Sequence, residues 1–384
     1  MLDPDYILSM TDEAEYVASM LHTEIVNRVV DRIITRLQRG DDYVLTAVDK
    51  WQIETLEQAG YLAEDIQKII AKRTGLTKAT IKKAFTSAGV RSLAWDNAVY
   101  QSAGLAALGL KQSPLMLRLL ERGYNATAGN WLNFTRTTAN AAQQLFITAT
   151  DKAYRLVTSG AVSYSEAIKN AVESAVKQGV YVQYPSGHRD TIEVATSRAV
   201  RTGISQTCSE ITQTRMDEMK WDIVLVSAHL GARLGDGGED FTNHYWWQGK
   251  FYSRSGNDKR FPPFEVCGEG DVQGIFGANC RHSIGPGDGI HNPFQHYDAE
   301  ENRKAYELSQ QQRKKERRIR ARKRVVSGLK ESVKVCTDPD AKKALQSSLK
   351  LEQAKLAKQN AEYREFCDNN DLKPFMERLR IAGA

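Results

Sequence analysis

The chain has 384 residues, of which 41% are hydrophobic and 26% are charged, and its formal net charge is +6. This length allows two or three domains, and the hydrophobic content excludes a wholly disordered chain. No apolar run reaches the roughly 18 residues that a bilayer span needs, and residues 1–10 lack the basic start of a secretory signal. We therefore expect the protein to stay in the compartment where it is made.

Apolar residues recur with a helical period through the first half of the chain. The spacing predicts a helix over 12–39 that stops at Gly40, and it gives Asp3 and Ser113, each followed by proline, as helix N-caps. Glycine often ends a helix. Taking glycines as ends predicts further helices over 43–59, 63–74, 77–89, 91–102, 114–121, 131–159 and 164–177. Residues 1–179 are thus expected to form a helical domain.

The pattern changes at Val180. Two short β-prone stretches flank Pro185-Ser186-Gly187 and predict a hairpin over 180–192. A helix over 193–219 and a strand over 223–226 follow, and beyond them glycine is dense and periodicity is lost. Within this part short strands are expected over 246–252 and 264–266. Residues 180–297 are expected to form a small, loop-rich mixed α/β domain, of the kind that often carries a binding surface.

The end of the chain is helical and strongly charged. Residues 301–330 contain twelve Lys or Arg against three Glu, a local charge of +9 that leaves −3 for the rest of the chain. Because residues 301–326 are polar on nearly every side, we expect them not to form a core helix.

Two more helices are predicted after this segment. Asp338-Pro339 predicts a helix start, with the helix reaching about residue 360, and residues 363–379 form a last amphipathic piece broken at Pro374. Residues 298–384 are therefore assigned to a basic helical tail. The fold class predicted for the whole chain is α+β, mostly α.

Three clusters in the loop-rich domain contain side chains that could bind a metal ion or take part in catalysis. His229, His244, Cys280 and His282 offer the four nitrogen and sulfur ligands that a structural zinc ion takes, and Cys267 is a substitute. Neither a CxxC nor an HxxxH spacing accompanies them, so the spacing alone does not establish a metal site. No cofactor is expected on this basis, with zinc as the alternative.

The same residues allow two other interpretations. Cys280 with His244 or His229 could form a thiolate pair, or the cluster could form a nuclease site with Arg281 on a phosphate. Alternatively, these side chains satisfy backbone groups that a loop-rich domain leaves unpaired. We favour the last interpretation and expect no enzyme activity.

One run of twelve residues holds nine positive side chains and one negative side chain. A solvated helix would explain it, and so would contact with nucleic acid phosphates, which is independent of sequence and sensitive to salt. The candidate nucleic-acid-binding residues are Arg313, Lys314, Lys315, Arg317, Arg318, Arg320, Arg322, Lys323 and Arg324.

Three motifs in this chain resemble the phage minor capsid protein 2 family, which is related to the Mu F-like head morphogenesis proteins. They are the stretch VLVSAHLGAR at 224–233, the stretch from His244 to Ser253 with WQGK at 247–250, and NCRHS at 279–283. Likeness extends to the N-terminal part and covers most of 1–325. The motif residues are His229, Gly231, Arg233, Gln248, Gly249, Lys250, Asn279, Cys280, Arg281 and His282.

The resemblance implies a virion structural protein of the phage head. It implies a minor capsid protein at the portal vertex or in the head interior, assembled in the host cytoplasm, with a role in head assembly and in DNA packaging or ejection. The implied partners are the portal protein, non-specifically bound genomic DNA, and the major capsid or scaffolding protein, with no membrane during assembly. The helical domain would dock on the portal or head. The alternatives are a nuclease-like enzyme delivered with the virion and a zinc-stabilised binding module.

Overall fold

A computed structural model describes residues 1–38 and 47–381. Within these residues the chain is mostly helical, with short strands in two small sheets, which confirms the predicted α+β, mostly α class. None of the helices in this described part is long and apolar enough to cross a membrane. The helices are α1 (Pro4–Ser9), α2 (Asp12–Leu37), α3 (Val48–Ser102), α4 (Pro114–Thr158), α5 (Tyr164–Gln178), α6 (Ile192–Glu218), α7 (His244–Trp247), α8 (Ala299–Val335) and α9 (Pro339–Asn369). The strands are β1 (Val182–Gln183), β2 (Arg189–Asp190), β3 (Ile223–Val226), β4 (Phe251–Ser253) and β5 (Ile284–Pro286).

Several helix ends lie where the capping residues predict them. The Asp3 carboxylate accepts the backbone N–H groups of the first turn of α1, and the Asp338 carboxylate does the same for α9. Helix α5 ends at Gly179, whose φ of 65° suits a residue without a Cβ. The stop predicted at Gly40 and the helix start predicted at residue 43 lie outside the described residues.

The helix ends predicted at internal glycines are wrong. Helix α3 continues through Gly60, Gly75 and Gly89, and α4 is one helix from Pro114 to Thr158. A helical glycine costs only about 1 kcal/mol relative to alanine, which the packing of a long helix outweighs. Gly89 also has a packing role, because a Cβ there would lie 3.0 Å from Cδ1 of Leu120.

The chain forms two compact units, each assembled from three separate segments. Unit 1 comprises Met1–Ala14, Lys78–Trp131 and Ser197–Gln311. Unit 2 comprises Glu15–Thr77, Leu132–Thr196 and Gln312–Ala384. The contiguous segments expected from the sequence, 1–179, 180–297 and 298–384, therefore each contribute residues to both units.

Unit 1 contains the three-stranded sheet. Strand β3 lies in the middle and pairs antiparallel with both β4 and β5, so that Val224 is opposite Tyr252 on one side and Pro286 on the other. The strand predicted over 223–226 is confirmed. The strand predicted over 246–252 begins only at Phe251, because the Asn243 side chain accepts the N–H of Trp246 and starts helix α7 instead. The segment Phe264–Cys267 is a turn of 3-10 helix, and β5 was not predicted.

Unit 2 contains the predicted hairpin, which is confirmed as the antiparallel pair β1–β2. It also contains most of α8, and there the expectation that residues 301–326 stay outside a core is wrong. Ile319, Val325 and Val326 are buried, and so is the carboxylate of Glu316. The polar residues of this helix are accommodated because they find partners: the Tyr363 hydroxyl donates to Glu316 at 3.1 Å.

Candidate functional site

The sheet of unit 1 brings the three sequence motifs together. Strand β3 runs into the first motif, and the third motif runs into β5. Since β3 and β5 are paired up to Val226 and Ile284, and the N–H of Ser227 donates to the carbonyl of Ser283, the residues that follow β3 lie beside those that precede β5. Helix α7 supplies the second motif from the turn before β4.

His244, Cys280 and His282 form a compact cluster in this region. The Sγ of Cys280 lies 3.8 Å from Nδ1 of His244 and 3.6 Å from Nδ1 of His282. The three residues are only 2%, 3% and 1% exposed. Among the described residues they form a group whose ligand atoms all lie within 4.8 Å of one another, and they are three of the four residues that the sequence suggested for zinc.

Hydrogen bonds fix the orientation of both imidazole rings. Nε2 of His244 lies 2.7 Å from the carbonyl oxygen of Gln273, and Nε2 of His282 lies 3.0 Å from Oε1 of Gln248. Both partners accept, since Oε1 of Gln248 also accepts the backbone N–H of His229 at 3.0 Å. Each ring therefore carries its proton on Nε2 and directs the lone pair of Nδ1 toward Cys280.

Burial sets the charge state of the cluster. Burial lowers the pKa of His244 to about 4. Burial, with the neighbouring rings of His229 and His244, holds the pKa of His282 well below its usual range. Burial likewise raises the pKa of the Cys280 thiol, although the N–H of His282 donates to its sulfur at 3.4 Å. At neutral pH both imidazoles are therefore uncharged, the form in which histidine binds a metal.

His229 lies beside the cluster in a different role. Its ring stacks on that of His282 with centroids 4.5 Å apart. Its Nδ1 lies 3.0 Å from Nη2 of Arg281 and 3.1 Å from the carbonyl oxygen of Leu230. Cys267, the substitute ligand, is buried in the same core, but it is not part of the compact group.

Several motif residues shape the loops rather than line the cluster. Gly231, Gly249 and Asn279 have φ values of 77°, 64° and 61°, a region that glycine and asparagine tolerate best. At Gly231 a Cβ would also lie 3.3 Å from backbone atoms of Ala305 and Tyr306. The left-handed backbone at these positions accounts for the glycine and asparagine found there.

Arg233 and Lys250 make local contacts. Nη2 of Arg233 donates to the carbonyl of Ala278 at 2.7 Å, which ties the first motif to the residue just before the third. The ammonium of Lys250 lies 5.5 Å from the ring centroid of Trp246.

Asn302 on α8 is a residue that the sequence analysis missed. Its Oδ1 accepts the N–H groups of Gly231 and Ala232, each at 2.9 Å, and its Nδ2 donates to the carbonyl of Ala232 at 3.0 Å. The side chain is fully buried. Nothing in the polar sequence around it distinguishes this asparagine, since its partners lie some seventy residues earlier in the chain.

The nine basic candidates on α8 divide into three groups. Four have partners within unit 2: Arg320 with Glu15, Arg322 with Glu352, Lys323 with the carbonyl of Leu379, and Arg324 with Glu193. Arg313 and Lys315 are half-buried, with the ammonium of Lys315 5.1 Å from the ring centroid of Phe366. Lys314, Arg317 and Arg318 are exposed. Their spacing of three and four residues places them on one face of the helix, which we call the basic face.

Comparison with known proteins places these features in a family context. The family model described as phage minor capsid protein 2 matches residues 2–368. A curated protein of Lactococcus phage LL-H, described as a structural protein, is 23% identical over 317 residues, which cover 78% of this chain and 83% of that protein. No solved structure matches this chain.

Proposed function

Because this chain belongs to the phage minor capsid protein 2 family, we propose that it is a low-copy virion component bound at the portal vertex of the head. The observation that carries the proposal is the extent of the family match, which spans residues 2–368 and so includes both compact units. Its role is structural rather than enzymatic: it joins the head during assembly and contributes to DNA packaging or ejection.

An apolar face on α3 supports a protein partner. Ile53, Leu56 and Tyr61 are each more than half exposed, although they are large and apolar. They lie on the side of the helix opposite Trp51, Thr55 and Leu62, which are buried. Exposed apolar residues grouped on one face are typical of surfaces that another protein covers. We assign this face to the portal protein.

The basic face supports contact with DNA inside the head. Lys314, Arg317 and Arg318 project from α8 into solvent. Three such cations offer non-specific contact with phosphates, which releases counterions and depends steeply on salt. No aromatic residue lies between them, so base stacking is not part of the proposal.

Quantitative mass spectrometry of purified particles tests the location. The chain should be present at the abundance of the portal protein or below, far under the major capsid protein. Its absence from particles would refute the virion assignment and favour an enzyme that acts inside the cell.

Co-purification tests the portal contact. The double variant Ile53→Asp, Leu56→Asp should lose the portal protein while keeping its circular dichroism spectrum. Glu57→Gln, a change at an exposed position on the same turn, should retain it. Equal retention by both variants would remove this face from the proposal.

Salt-dependent DNA binding tests the basic face. The triple variant Lys314→Ala, Arg317→Ala, Arg318→Ala should bind DNA more weakly, with a log–log salt slope lower by about 2–3. The matched control is Lys343→Ala, Lys350→Ala, Lys358→Ala on α9, which removes the same charge from exposed positions. If both triples lower the slope equally, net charge rather than the basic face governs binding.

A further inference from the structure

We propose that His244, Cys280 and His282 bind one zinc ion, and that this ion holds together the loop-rich part of unit 1. This stabilising role of the ion is independent of the portal assignment.

The spacing of the donor atoms matches a tetrahedral site. With Zn–S near 2.3 Å and Zn–N near 2.0–2.1 Å, the sulfur–nitrogen edge of a tetrahedron is about 3.6 Å. The two observed Sγ–Nδ1 distances are 3.6 and 3.8 Å. The sulfur of Cys280 thus stands at the separation from both histidine nitrogens that ligands of one zinc ion have.

The hydrogen bonding of the cluster is incomplete without a cation. Both Nδ1 lone pairs point at one sulfur, and a thiol has only one proton to donate. One buried lone pair would therefore lack a donor if Cys280 were a thiol, and such a group costs about 1–3 kcal/mol. A zinc ion bound to the thiolate and to both nitrogens satisfies all three groups, and the proton of the thiol leaves to solvent on binding.

The surroundings provide the outer contacts that zinc sites need. Metal-binding histidines usually donate their second N–H to a carbonyl or carboxylate, which fixes the ring and raises its basicity. The carbonyl of Gln273 does this for His244, and Oε1 of Gln248 does it for His282. The N–H of His282 donates to the sulfur of Cys280, which favours the thiolate.

The ion would cross-link two distant parts of the chain beside the hydrophobic core of unit 1. Between β3 and β5 the chain has only the short helix α7, the strand β4 and one turn of 3-10 helix. The three ligands come from the start of helix α7 and from the loop before β5, and His244 and Cys280 are 36 residues apart in the chain. A structural zinc ion contributes folding free energy directly. Burial of Cys280 also argues against a nucleophile, which must reach its substrate.

Elemental analysis of protein purified without chelator tests the site. The wild type should carry near one zinc per chain, and Cys280→Ser and His244→Ala should lose it. The matched control is Cys267→Ser, a buried cysteine of the same core outside the cluster, which should keep it. A folded wild type without zinc, or zinc retained in Cys280→Ser, would overturn the proposal.

Cobalt substitution keeps the test decisive if a variant unfolds. Chelator-treated wild type titrated with Co²⁺ should show a sulfur-to-cobalt charge-transfer band and the strong visible absorption of tetrahedral cobalt. Gln248→Ala removes no ligand atom but takes away the hydrogen bonds to Nε2 of His282 and to the N–H of His229, so it should weaken zinc affinity by about 10–100-fold in a chelator competition. Absence of the cobalt spectrum from folded wild type would refute the site, and unchanged affinity in Gln248→Ala would refute the role given to that residue.

Discussion

Nη1 of Arg324 on helix α8 lies 2.5 Å from Oε1 of Glu193 in the first turn of helix α6. The other oxygen of the same carboxylate lies 2.9 Å from Nδ1 of His22. The side chain of Glu193 is only 1% exposed, so a residue of the basic run serves as the counter-charge of a buried acid. This pair explains why part of that run is unavailable to nucleic acid.

Replacing Glu193 by glutamine should destabilise unit 2. The change leaves the Arg324 charge without its partner, and breaking a buried pair in this way typically costs about 3–5 kcal/mol. Urea unfolding followed by circular dichroism measures the loss. Glu362→Gln, at an exposed position 4.0 Å from Lys358, should change the free energy of unfolding by less than about 0.5 kcal/mol. Similar losses of unfolding free energy in both variants would show that the buried pair contributes no more than an exposed one.

The Glu193–Arg324 pair also predicts that the stability of the folded protein depends on pH. Burial alone would raise the pKa of Glu193, but Arg324 and His22 outweigh it and hold the pKa well below its usual range. The ionised carboxylate therefore stabilises the folded state above the unfolded pKa of about 4.3, and that stabilisation is lost as the pH falls below it. Glu193→Gln should lose less stability than the wild type between about pH 5 and pH 3, as urea midpoints at each pH would reveal.

Replacing Gly123 by alanine should destabilise unit 1. A Cβ at Gly123 on α4 would lie 1.9 Å from Oγ1 and 3.0 Å from Cβ of Thr207 on α6, and Gly203 and Thr127 meet in the reciprocal way. Overpacking of this kind costs about 1–3 kcal/mol, although alanine favours a helix.

Gly60→Ala is the matched control for that prediction. Gly60 also lies within a long helix, but a Cβ there would meet nothing within 4 Å. It should raise the thermal unfolding midpoint slightly, since alanine is the better helix former by about 1 kcal/mol. If the thermal unfolding midpoint moves in the same direction in both variants, the close contact between α4 and α6 at Gly123 would be contradicted.

Replacing Asn302 by alanine should loosen the first motif. It removes the acceptor for the N–H groups of Gly231 and Ala232 and the donor to the carbonyl of Ala232, and each unsatisfied buried group costs about 1–3 kcal/mol. Hydrogen exchange of these two amides should accelerate. Glu301→Ala, its exposed neighbour, should leave their exchange unchanged. Protected amides in Asn302→Ala would argue against this anchoring role.

The parts of the fold that local signals determine could be predicted from the sequence. Asp3 and Asp338 begin helices because a carboxylate can cap the first turn, and β3 is a short apolar run with a clear start. The glycines of α3 misled the prediction because a glycine ends a helix only when the surrounding packing allows it. The choice is made by contacts such as that between Gly89 and Leu120, which no local pattern reveals.

The candidate site was predicted in its residue types but not in its arrangement. Histidine and cysteine marked the cluster, yet only the β3–β5 register brings its segments together and leaves His229 stacked on His282. Charge density likewise marked the basic run. It could not separate Arg324, which faces a buried acid, from Arg318, which faces solvent.

The discontinuous build of the two units has a consequence for synthesis. Unit 2 begins at Glu15 but needs the segment from Gln312 onward to complete its packing. At roughly 5–20 residues per second, a ribosome takes about 15–60 s to translate the stretch between those points. Until that segment is made, the early helices of unit 2 lack the packing partners that it supplies. Truncation after Asn292 would remove these packing partners altogether. The functions of the tail are therefore better separated by point substitutions.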